Sequence, residues 1–400
     1  MLSRSLALLV SLIVAFACAG APLLEKADLF RSGEGGYALY RIPGIVVTSK
    51  GTVLAYCEGR KTGKGDWDTI DILLGRSMDA GRTWDPPRVM SNVDGPKPKS
   101  PLSPAKGSSA AGSTFSNAVA IADRNGSVHL LFCLEYMRCF YLRSDDDGVT
   151  FSKPVEITAA FEKFRPEFDW KVIATGPGHG IQLKNGRLVV PMWMSTGTGA
   201  GQHRPSVAAT VFSDDHGVTW HGGEIAVPNT AEWVNPNETT AIELADGRVM
   251  LNVRSEARAH RRLVTVSEDG AKGWSRPNFD DALLEPICFG SLIRFDGKRI
   301  LFSNPYNLSR ADGKEAPGKG RDRKNLSVQM SSDEGATWPV RRSLEPEFSG
   351  YSDLAVLPDS TVLCFYERGS TDGKSSTRTG LLTMARFNMD WLTGTRAGHQ

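Results

Sequence analysis

The chain has 400 residues, of which 40% are hydrophobic, and its 47 Lys and Arg nearly balance its 45 Asp and Glu to leave a formal charge of +2. A charge so close to zero gives no electrostatic basis for binding nucleic acid or an anionic membrane surface, so any recognition of charge must be local. The apolar and charged fractions are those of a globular chain rather than a disordered or fibrous one, and 41 Gly and 22 Pro predict frequent turns.

The first residues, MLSRSLALLVSLIVAFACAG, have the pattern of a secretory signal peptide, which we assign to positions 1–20. One Arg precedes an apolar run from Leu6 to Ala17, and small residues follow the run. The run is shorter than the roughly 20 residues of a spanning helix, so we expect an exported protein, secreted or periplasmic, with no membrane span. Cys18 leaves open a lipid-modified N-terminus, although Ala15-Phe16-Ala17 matches a lipidation signal poorly.

Six downstream segments each contain an apolar strand, a polar turn and a second apolar strand, which is the pattern of a β-hairpin. In chain order they are GIVVTSKGTVLAYCEGR, AVAIADRNGSVHLLFC, GIQLKNGRLVVPMWM, AIELADGRVMLNVRS, SLIRFDGKRILFSNP and LAVLPDSTVLCFYER. Successive turn positions are separated by 75, 60, 61, 50 and 63 residues, at Gly51, Gly126, Gly186, Gly247, Gly297 and Ser360. This spacing predicts a structural unit of about 60 residues that occurs six times.

A second repeat, Ser-x-Asp-x-Gly-x-Thr-Trp/Phe, alternates with the hairpins. Copies of this Asp box lie at 77–84, 144–151, 213–220 and 331–338, and a degenerate copy lies at 267–274. Its Asp and Ser can bond the backbone of their own turn and its Gly can adopt positive φ, so we interpret the box as the turn between the third and fourth strands of a unit. The acidic residues also suggest a calcium loop, but the closing Glu of an EF-hand is absent, which favours the turn.

Four strands in each of six units predict an all-β fold, a six-bladed β-propeller of four-stranded antiparallel blades. The last hairpin is followed by RTGLLTMARFNM, which supplies only one further strand. We therefore expect the segment from Lys26 to Tyr40 to complete the sixth blade and close the ring. Residues 21–400 would then form a single domain.

The cysteines of this domain, Cys57, Cys133, Cys139, Cys288 and Cys364, contain no CxxC pair, so the sequence does not favour a metal site. Cys133 and Cys139 flank a possible turn. Export permits a disulfide between them, but buried free thiols are the commoner state of cysteines in apolar strands.

One face of such a propeller is expected to collect charged side chains. The turns between strands 1 and 2 and between strands 3 and 4 lie at one end of each antiparallel blade, so residues beside the other strand ends gather on the opposite face. These residues are Arg41, Arg60, Asp66, Glu238, Arg254, Arg321, Arg323, Tyr351 and Glu367. Guanidinium forks suit a carboxylate, and a Tyr with a Glu nearby suggests a hydroxyl activated by a base.

With YRIP at 40–43 and its Asp boxes, the chain resembles bacterial-type exo-α-sialidases from about Tyr40 to about Gly369. The resemblance implies a retaining glycoside hydrolase that releases terminal sialic acid from glycoconjugates without a cofactor or metal. The implied roles are carboxylate binding by Arg41, Arg254 and Arg323, nucleophile for Tyr351, its base for Glu238 and acid/base for Asp66. Glu367 would brace Arg41, and Arg60 would contact the 4-position of the sugar.

The chemistry of a sugar acid is consistent with these roles. The substrate carboxylate would repel a carboxylate nucleophile, whereas a phenol attacks neutral while Glu238 removes its proton, and sialidases with a Tyr nucleophile are a known exception among glycosidases. Asp66 would need a raised pKa to protonate the leaving oxygen. Asp68 remains an alternative to Asp66, and Arg321 remains an alternative to Arg323.

The loop before the second hairpin departs from the family pattern. Family members commonly place an acidic residue there, near the 4-hydroxyl, but no residue between Asp94 and Asp123 is acidic. A related sugar acid such as Kdn or Kdo would satisfy the same arginines. A propeller that binds a sugar acid without cleaving it is the alternative from another functional class, and linkage preference and transfer activity stay open. His179 is as consistent with a structural role as with a place in the pocket.

Overall fold

The computed structural model describes residues 21–104, 112–313, 320–369 and 379–394. The signal peptide expected at 1–20, with Cys18, lies outside the described residues. Within them the protein is almost entirely β, with two 3₁₀ helices at Thr158–Phe164 and Ala200–Gln202 and one short α-helix, α1, at Met389–Thr393. No helix in this described part of the chain has both the length and the apolar character to cross a membrane.

In chain order, the first nine strands are β1 (Leu24–Arg31), β2 (Leu39–Val47), β3 (Val53–Arg60), β4 (Ile70–Ser77), β5 (Arg88–Val89), β6 (Phe115–Ala122), β7 (Val128–Leu134), β8 (Arg138–Ser144) and β9 (Val155–Glu156). The next ten are β10 (Val172–Thr175), β11 (Gly178–His179), β12 (Ile181–Gln182), β13 (Leu188–Ser195), β14 (Ser206–Ser213), β15 (His221–Val227), β16 (Thr239–Glu243), β17 (Val249–Val253), β18 (Arg261–Ser267) and β19 (Asn278–Leu284). The last six are β20 (Ser291–Arg294), β21 (Ile300–Pro305), β22 (Lys324–Ser331), β23 (Val340–Val356), β24 (Val362–Gly369) and β25 (Thr379–Phe387).

These strands form five sheets in a propeller-like arrangement. Two sheets contain β2–β5 and β16–β19 in sequence order, a third contains β10-β13-β14-β15 with β12 on β13, and a fourth contains β6–β9 with β11 parallel to β6. The fifth has seven strands in the order β1-β25-β24-β23-β22-β21-β20. The sequence predicts six separate blades, but β23 pairs with β22 along its first half and with β24 along its second, so two predicted blades share one strand.

The six predicted hairpins all form, as β2/β3, β6/β7, β12/β13, β16/β17, β20/β21 and β23/β24. Apolar clusters fill the space between neighbouring sheets. One of them packs Leu54 and Tyr56 of β3 against Leu130 and Phe132 of β7. The core therefore lies between the blades and leaves their strand ends free to carry polar side chains.

The Asp boxes form turns that bond their own backbone, as predicted. In the four regular copies the Asp carboxylate accepts the Ser hydroxyl, the Thr N–H and, at 2.6 Å, the Thr hydroxyl, at Asp79, Asp146, Asp215 and Asp333. The box Gly adopts positive φ, and so does the residue before it. That preceding residue also contacts the neighbouring hairpin: Asp147 accepts from Thr48 and Thr52, and His216 bonds Asp123. The boxes and hairpin turns therefore share one face.

The N-terminal strand completes the seven-stranded sheet. The sequence predicts this for the segment from Lys26 to Tyr40, and the pairing strand is β1, which runs antiparallel to β25 from Leu24↔Phe387 to Arg31↔Leu381. Cys133 and Cys139 lie opposite each other in β7 and β8 as buried free thiols. The disulfide that the sequence left open is not formed.

Candidate active site

A cavity of about 370 Å³ lies at the strand ends away from the Asp boxes. Its lining comes from residues far apart in the chain, because all five sheets contribute side chains that lie in their strands or directly beside them. The predicted residues in this lining are Arg41, Arg60, Asp66, Glu238, Arg254, Arg323 and Tyr351. Seven of the eight predicted site residues therefore meet in one cavity, and the eighth, Glu367, contacts two of them from behind.

Tyr351 lies at the centre of this group. Its hydroxyl donates to Glu238 Oε1 at 2.5 Å and accepts from Arg254 Nη1 at 2.7 Å, while Arg254 also forms an ion pair with Glu238. Burial raises the pKa of the Tyr351 phenol, and the charge of Arg254 opposes this only in part, so the pKa remains above its ordinary value. The phenol is therefore neutral at ordinary pH and has a carboxylate in place to accept its proton.

Three guanidinium groups surround the same phenol. Arg254 bonds its hydroxyl, and the Cζ atoms of Arg41 and Arg323 lie 5.0 and 5.1 Å from the centroid of its ring. Arg321, the sequence alternative to Arg323, is buried and borders a neighbouring cleft rather than the cavity around Tyr351. Three cations close to a neutral phenol form a binding site suited to an anion.

Glu367 fixes the first arginine and the backbone around Tyr351. Its carboxylate accepts from Arg41 Nε at 2.9 Å and Nη2 at 3.2 Å, and also from the backbone N–H groups of Ile42 and Tyr351. Burial raises the pKa of Glu367, but the charge and hydrogen bonds of Arg41, the charge of Arg323 and the N–H of Ile42 together outweigh burial, so the pKa lies below its ordinary value. Ile42 adopts φ +58°, a left-handed conformation that is strained for a β-branched residue.

Tyr351 and Glu367 lie within strands β23 and β24. The sequence analysis predicted that they lie beyond the strand ends, which is wrong because both strands extend further than their apolar patterns.

Asp66 reaches the cavity from the loop after β3. Its carboxylate accepts from Arg60 Nη1 at 2.8 Å and its side chain is 45% exposed. Burial raises the pKa of Asp66, but the charges of Arg60, His203 and Arg41 outweigh this and hold the pKa below its ordinary value. The raised pKa expected from the sequence is therefore wrong, because Arg60 stabilises the carboxylate. Asp68, the alternative, is buried and accepts from Thr62, which anchors the loop.

Several cavity residues were missed from the sequence. Glu58 is fully buried, bonds Arg60 Nη2 at 2.7 Å and accepts the N–H of Asn117 at 3.0 Å. Its position two residues before Arg60, on the same face of β3, was a usable signal. An aromatic wall comes from Trp67, Tyr136, Trp193 and His203, whose rings pack on one another. His203 follows a Gly-rich loop that carries no periodic signal.

His179 is separate from this cavity. Its Nδ1 lies 2.8 Å from Asp353 Oδ1, and its ring borders a second cavity, of about 390 Å³. Among the residues that the structure describes, no group of three or more His, Cys, Asp and Glu side chains is placed to hold a metal ion.

The fold and the cavity together define an all-β, propeller-like protein in which three arginines and a glutamate surround a tyrosine. A BNR repeat-like domain matches residues 97–364. The chain is 33% identical to the sialidase of Micromonospora viridifaciens over 94% of its own length and 55% of the relative, and 28% identical to the sialidase of Bacteroides fragilis over 84% and 61%. Among solved structures it is similar to the Hadza microbial sialidase Hz136, with a TM-score of 0.69, 26% identity and coverage of 90% of this chain and 68% of that one. The chain belongs to the sialidase family with BNR, or Asp-box, repeats.

Proposed function

We propose that the chain is an exo-α-sialidase that hydrolyses terminal sialic acid residues of glycoconjugates with retention of configuration. The observation that carries this proposal is the contact of the Tyr351 hydroxyl with both Glu238 and Arg254, in a ring of three arginines. A base on the phenol and cations beside it are what a tyrosine nucleophile needs when the substrate carries a carboxylate on its reacting carbon. The chain spans little more than half the length of its two bacterial relatives, and the proposal concerns the part it shares with them.

The first chemical step forms a glycosyl-tyrosine bond. The substrate carboxylate binds Arg41, Arg254 and Arg323, which brings the anomeric carbon next to the Tyr351 oxygen. That oxygen attacks while its proton passes to Glu238, and the glycosidic bond breaks with Asp66 protonating the leaving oxygen. In the second step Asp66, now ionised, takes a proton from water, the water oxygen attacks the anomeric carbon, and Tyr351 leaves and recovers its proton from Glu238. Two inversions give retention.

Asp66 must hold a proton in the first step although Arg60 depresses its pKa in the free protein. A bound sugar shields Asp66 from water, and the substrate carboxylate offsets the charge of Arg41, which is one cause of the low pKa. Both changes act in the direction of a higher pKa. We therefore propose that substrate binding raises the pKa of Asp66, so that Asp66 takes up a proton from solvent.

The propeller has six blades in this proposal. The two halves of β23 would each belong to a blade, which divides the seven-stranded sheet into β20-β21-β22-β23 and β23-β24-β25-β1. The cavity beside His179 supports the count, because it is lined by six inner segments, at 45–47, 121–122, 180–182, 241–243, 292–294 and 354–356. The blades would form one catalytic domain over 21–400. We also propose that it is exported, which the N-terminal sequence of protein recovered outside the producing cells would test.

The proposal is tested by incubating the purified protein with aryl α-glycosides of N-acetylneuraminic acid, Kdn and Kdo. Proton NMR during the reaction identifies the first anomer released, and the α-anomer is expected. Cleavage of the Kdn or Kdo glycoside alone would keep the mechanism and change the substrate. Binding of a sugar acid measured by calorimetry without cleavage of any glycoside would contradict the proposed enzyme and indicate a binding propeller.

A further inference from the structure

Outside the cavity, two oppositely charged side chains are fully buried against each other. Arg262 on β18 and Glu285 after β19 are both inaccessible to solvent, and Arg262 Nη1 lies 2.5 Å from Glu285 Oε2. The remaining guanidinium nitrogens of Arg262 donate to the side chain and the backbone carbonyl of Asn252, at 2.6 and 3.1 Å. Neither charge lines the cavity around Tyr351.

Fold stability alone is a weak reason for such a pair. Moving two ions out of water is unfavourable, and apolar residues of similar volume often serve a core equally well. A buried ion pair is better explained when its fixed geometry holds something else in place. The groups to which Arg262 and Glu285 are hydrogen-bonded therefore indicate what the pair does.

The pair fixes the turn from Glu285 to Cys288. Glu285 Oε1 accepts the N–H of Cys288 at 2.9 Å, and Arg262 Nη1 donates to the carbonyl of Cys288 at 3.3 Å. Within this turn Ile287 adopts φ +64°. A β-branched residue keeps such a strained conformation only where its surroundings impose it, and strained backbone of this kind is concentrated at functional sites.

The same turn faces the cavity with two groups that touch the candidate catalytic machinery. The carbonyl of Ile287 accepts from Arg323 Nη2 at 3.0 Å. The ring of Phe289 packs against that of Tyr351, with centroids 5.7 Å apart, and Cys288 belongs to the same buried cluster. The conformation of the turn therefore sets the positions of the Ile287 carbonyl, which orients Arg323, and of the Phe289 ring, which supports Tyr351.

We propose that Arg262 and Glu285 are positioning residues, which hold the 285–289 segment in a strained conformation that aims Arg323 at the substrate carboxylate and supports Tyr351. Neither touches the substrate. The inference rests on the proposed function for its kinetic consequence, because Arg323 binds the carboxylate only in that scheme. Its geometric consequence, the bond between Arg323 and Ile287, is independent of any activity.

The test replaces the pair by apolar residues, in the double variant Arg262→Met with Glu285→Leu. We expect its melting temperature to fall, because the N–H of Cys288 and the two oxygens of Asn252 lose their partners. Its KM for an aryl α-sialoside should rise at least about tenfold, since small displacements of a binding group weaken catalysis strongly. In an Arg323→Ala background the same double change should alter KM less than about twofold, because its effect on KM acts through Arg323. Glu285→Asp, which keeps the charge and shortens the arm, should show the same rise in KM and provides the test if the double variant does not fold.

The matched control is the pair of Arg76 and Asp147, 3.0 Å apart and mostly buried on the Asp-box face. Arg76→Met with Asp147→Asn should lower stability and leave KM unchanged. The inference is wrong if the Arg262 and Glu285 variants lose stability with an unchanged KM, or if their effect on KM multiplies with that of Arg323→Ala. Should the wild type cleave no sialoside, the proposed function fails alone. Crystal structures of the variants then decide the inference, which requires Ile287 to leave positive φ and Arg323 to lose its carbonyl partner.

Discussion

Replacing Tyr351 with phenylalanine removes one oxygen atom from the centre of the candidate site and nothing else. The lost hydroxyl donates to Glu238 at 2.5 Å and accepts from Arg254 at 2.7 Å. Glu238 and Arg254 remain paired with each other in the variant, so no buried charge loses its partner. The change therefore separates the chemical role of the hydroxyl from its structural role.

The two roles differ widely in expected size. Loss of hydrogen bonds without an orphaned charge changes the free energy of unfolding by about 1 kcal/mol. In a chain of this length that lowers the melting temperature by about 2 °C. Loss of a nucleophile should lower kcat at least ~10³-fold, which corresponds to about 4 kcal/mol of activation free energy.

The assay compares kcat on an aryl α-sialoside with a thermal melt of the same preparation. Tyr366→Phe is the matched control, because Tyr366 is also fully buried and bonds a carboxylate, Glu345 Oε2 at 3.1 Å, on the neighbouring strand. We expect the control to keep its kcat, and Tyr351→Phe to bind released sialic acid as the wild type does. Retention of more than about a tenth of kcat by a well-folded Tyr351→Phe protein would refute the nucleophile assignment.

Three further changes test other parts of the structure. Arg323→Lys removes the planar guanidinium group that faces Tyr351, so KM for a sialoside should rise about tenfold with a smaller change in kcat. A fall in kcat with an unchanged KM would contradict a role of Arg323 in binding. Asp123 accepts hydrogen bonds from both His129 and His216. Burial raises the pKa of Asp123, but its hydrogen bonds outweigh burial and lower the pKa to about 2. Its stabilisation is therefore present above the ordinary pKa near 4 and is lost as pH falls towards 2, and melting curves of Asp123→Asn should depend less on pH in that window. Asp215→Ala removes the carboxylate of one Asp box and should destabilise the protein by about 1 kcal/mol with unchanged kcat and KM, and a kinetic defect would show that the two faces are coupled.

The sequence predicted the repeating parts of this molecule well, because each hairpin and Asp box is specified by residues close together in the chain. Four of the six hairpin turns carry Gly at positive φ, and the Asp boxes bond their own backbone, so the conformation of these turns is specified by residues close together in the chain. The gathering of Arg41, Arg254 and Tyr351 followed from the alternation of strand directions alone. Position in the repeat was thus enough to find most of the cavity.

The features that the sequence did not predict depend on contacts between distant segments. The segment from Val340 to Val356 contains Pro346 and Gly350, which favour a break, yet β23 continues through both with shifts of register. The pKa of Asp66 is set by Arg60, His203 and Arg41, and no local pattern indicates how close those charges lie. In the sequence Glu58 is a single charge in an apolar strand, and its hydrogen bonds from Asn117 and Arg60 are visible only in the folded structure.

The pairing of β1 with β25 bears on how the protein is made. Arg41 and its brace Glu367 are 326 residues apart, and they are held together where the first hairpin meets the last one. At ordinary speeds of translation the ribosome needs roughly 15 to 65 s to travel from one to the other. During that interval every nascent chain has Arg41 without its partner Glu367 and strand β1 without its partner strand β25. A chain released before Glu367 is made would still contain the first five hairpins and the Asp boxes, but it would lack the partner of Arg41. We therefore expect such a chain to have no activity, so that only completed chains turn over substrate.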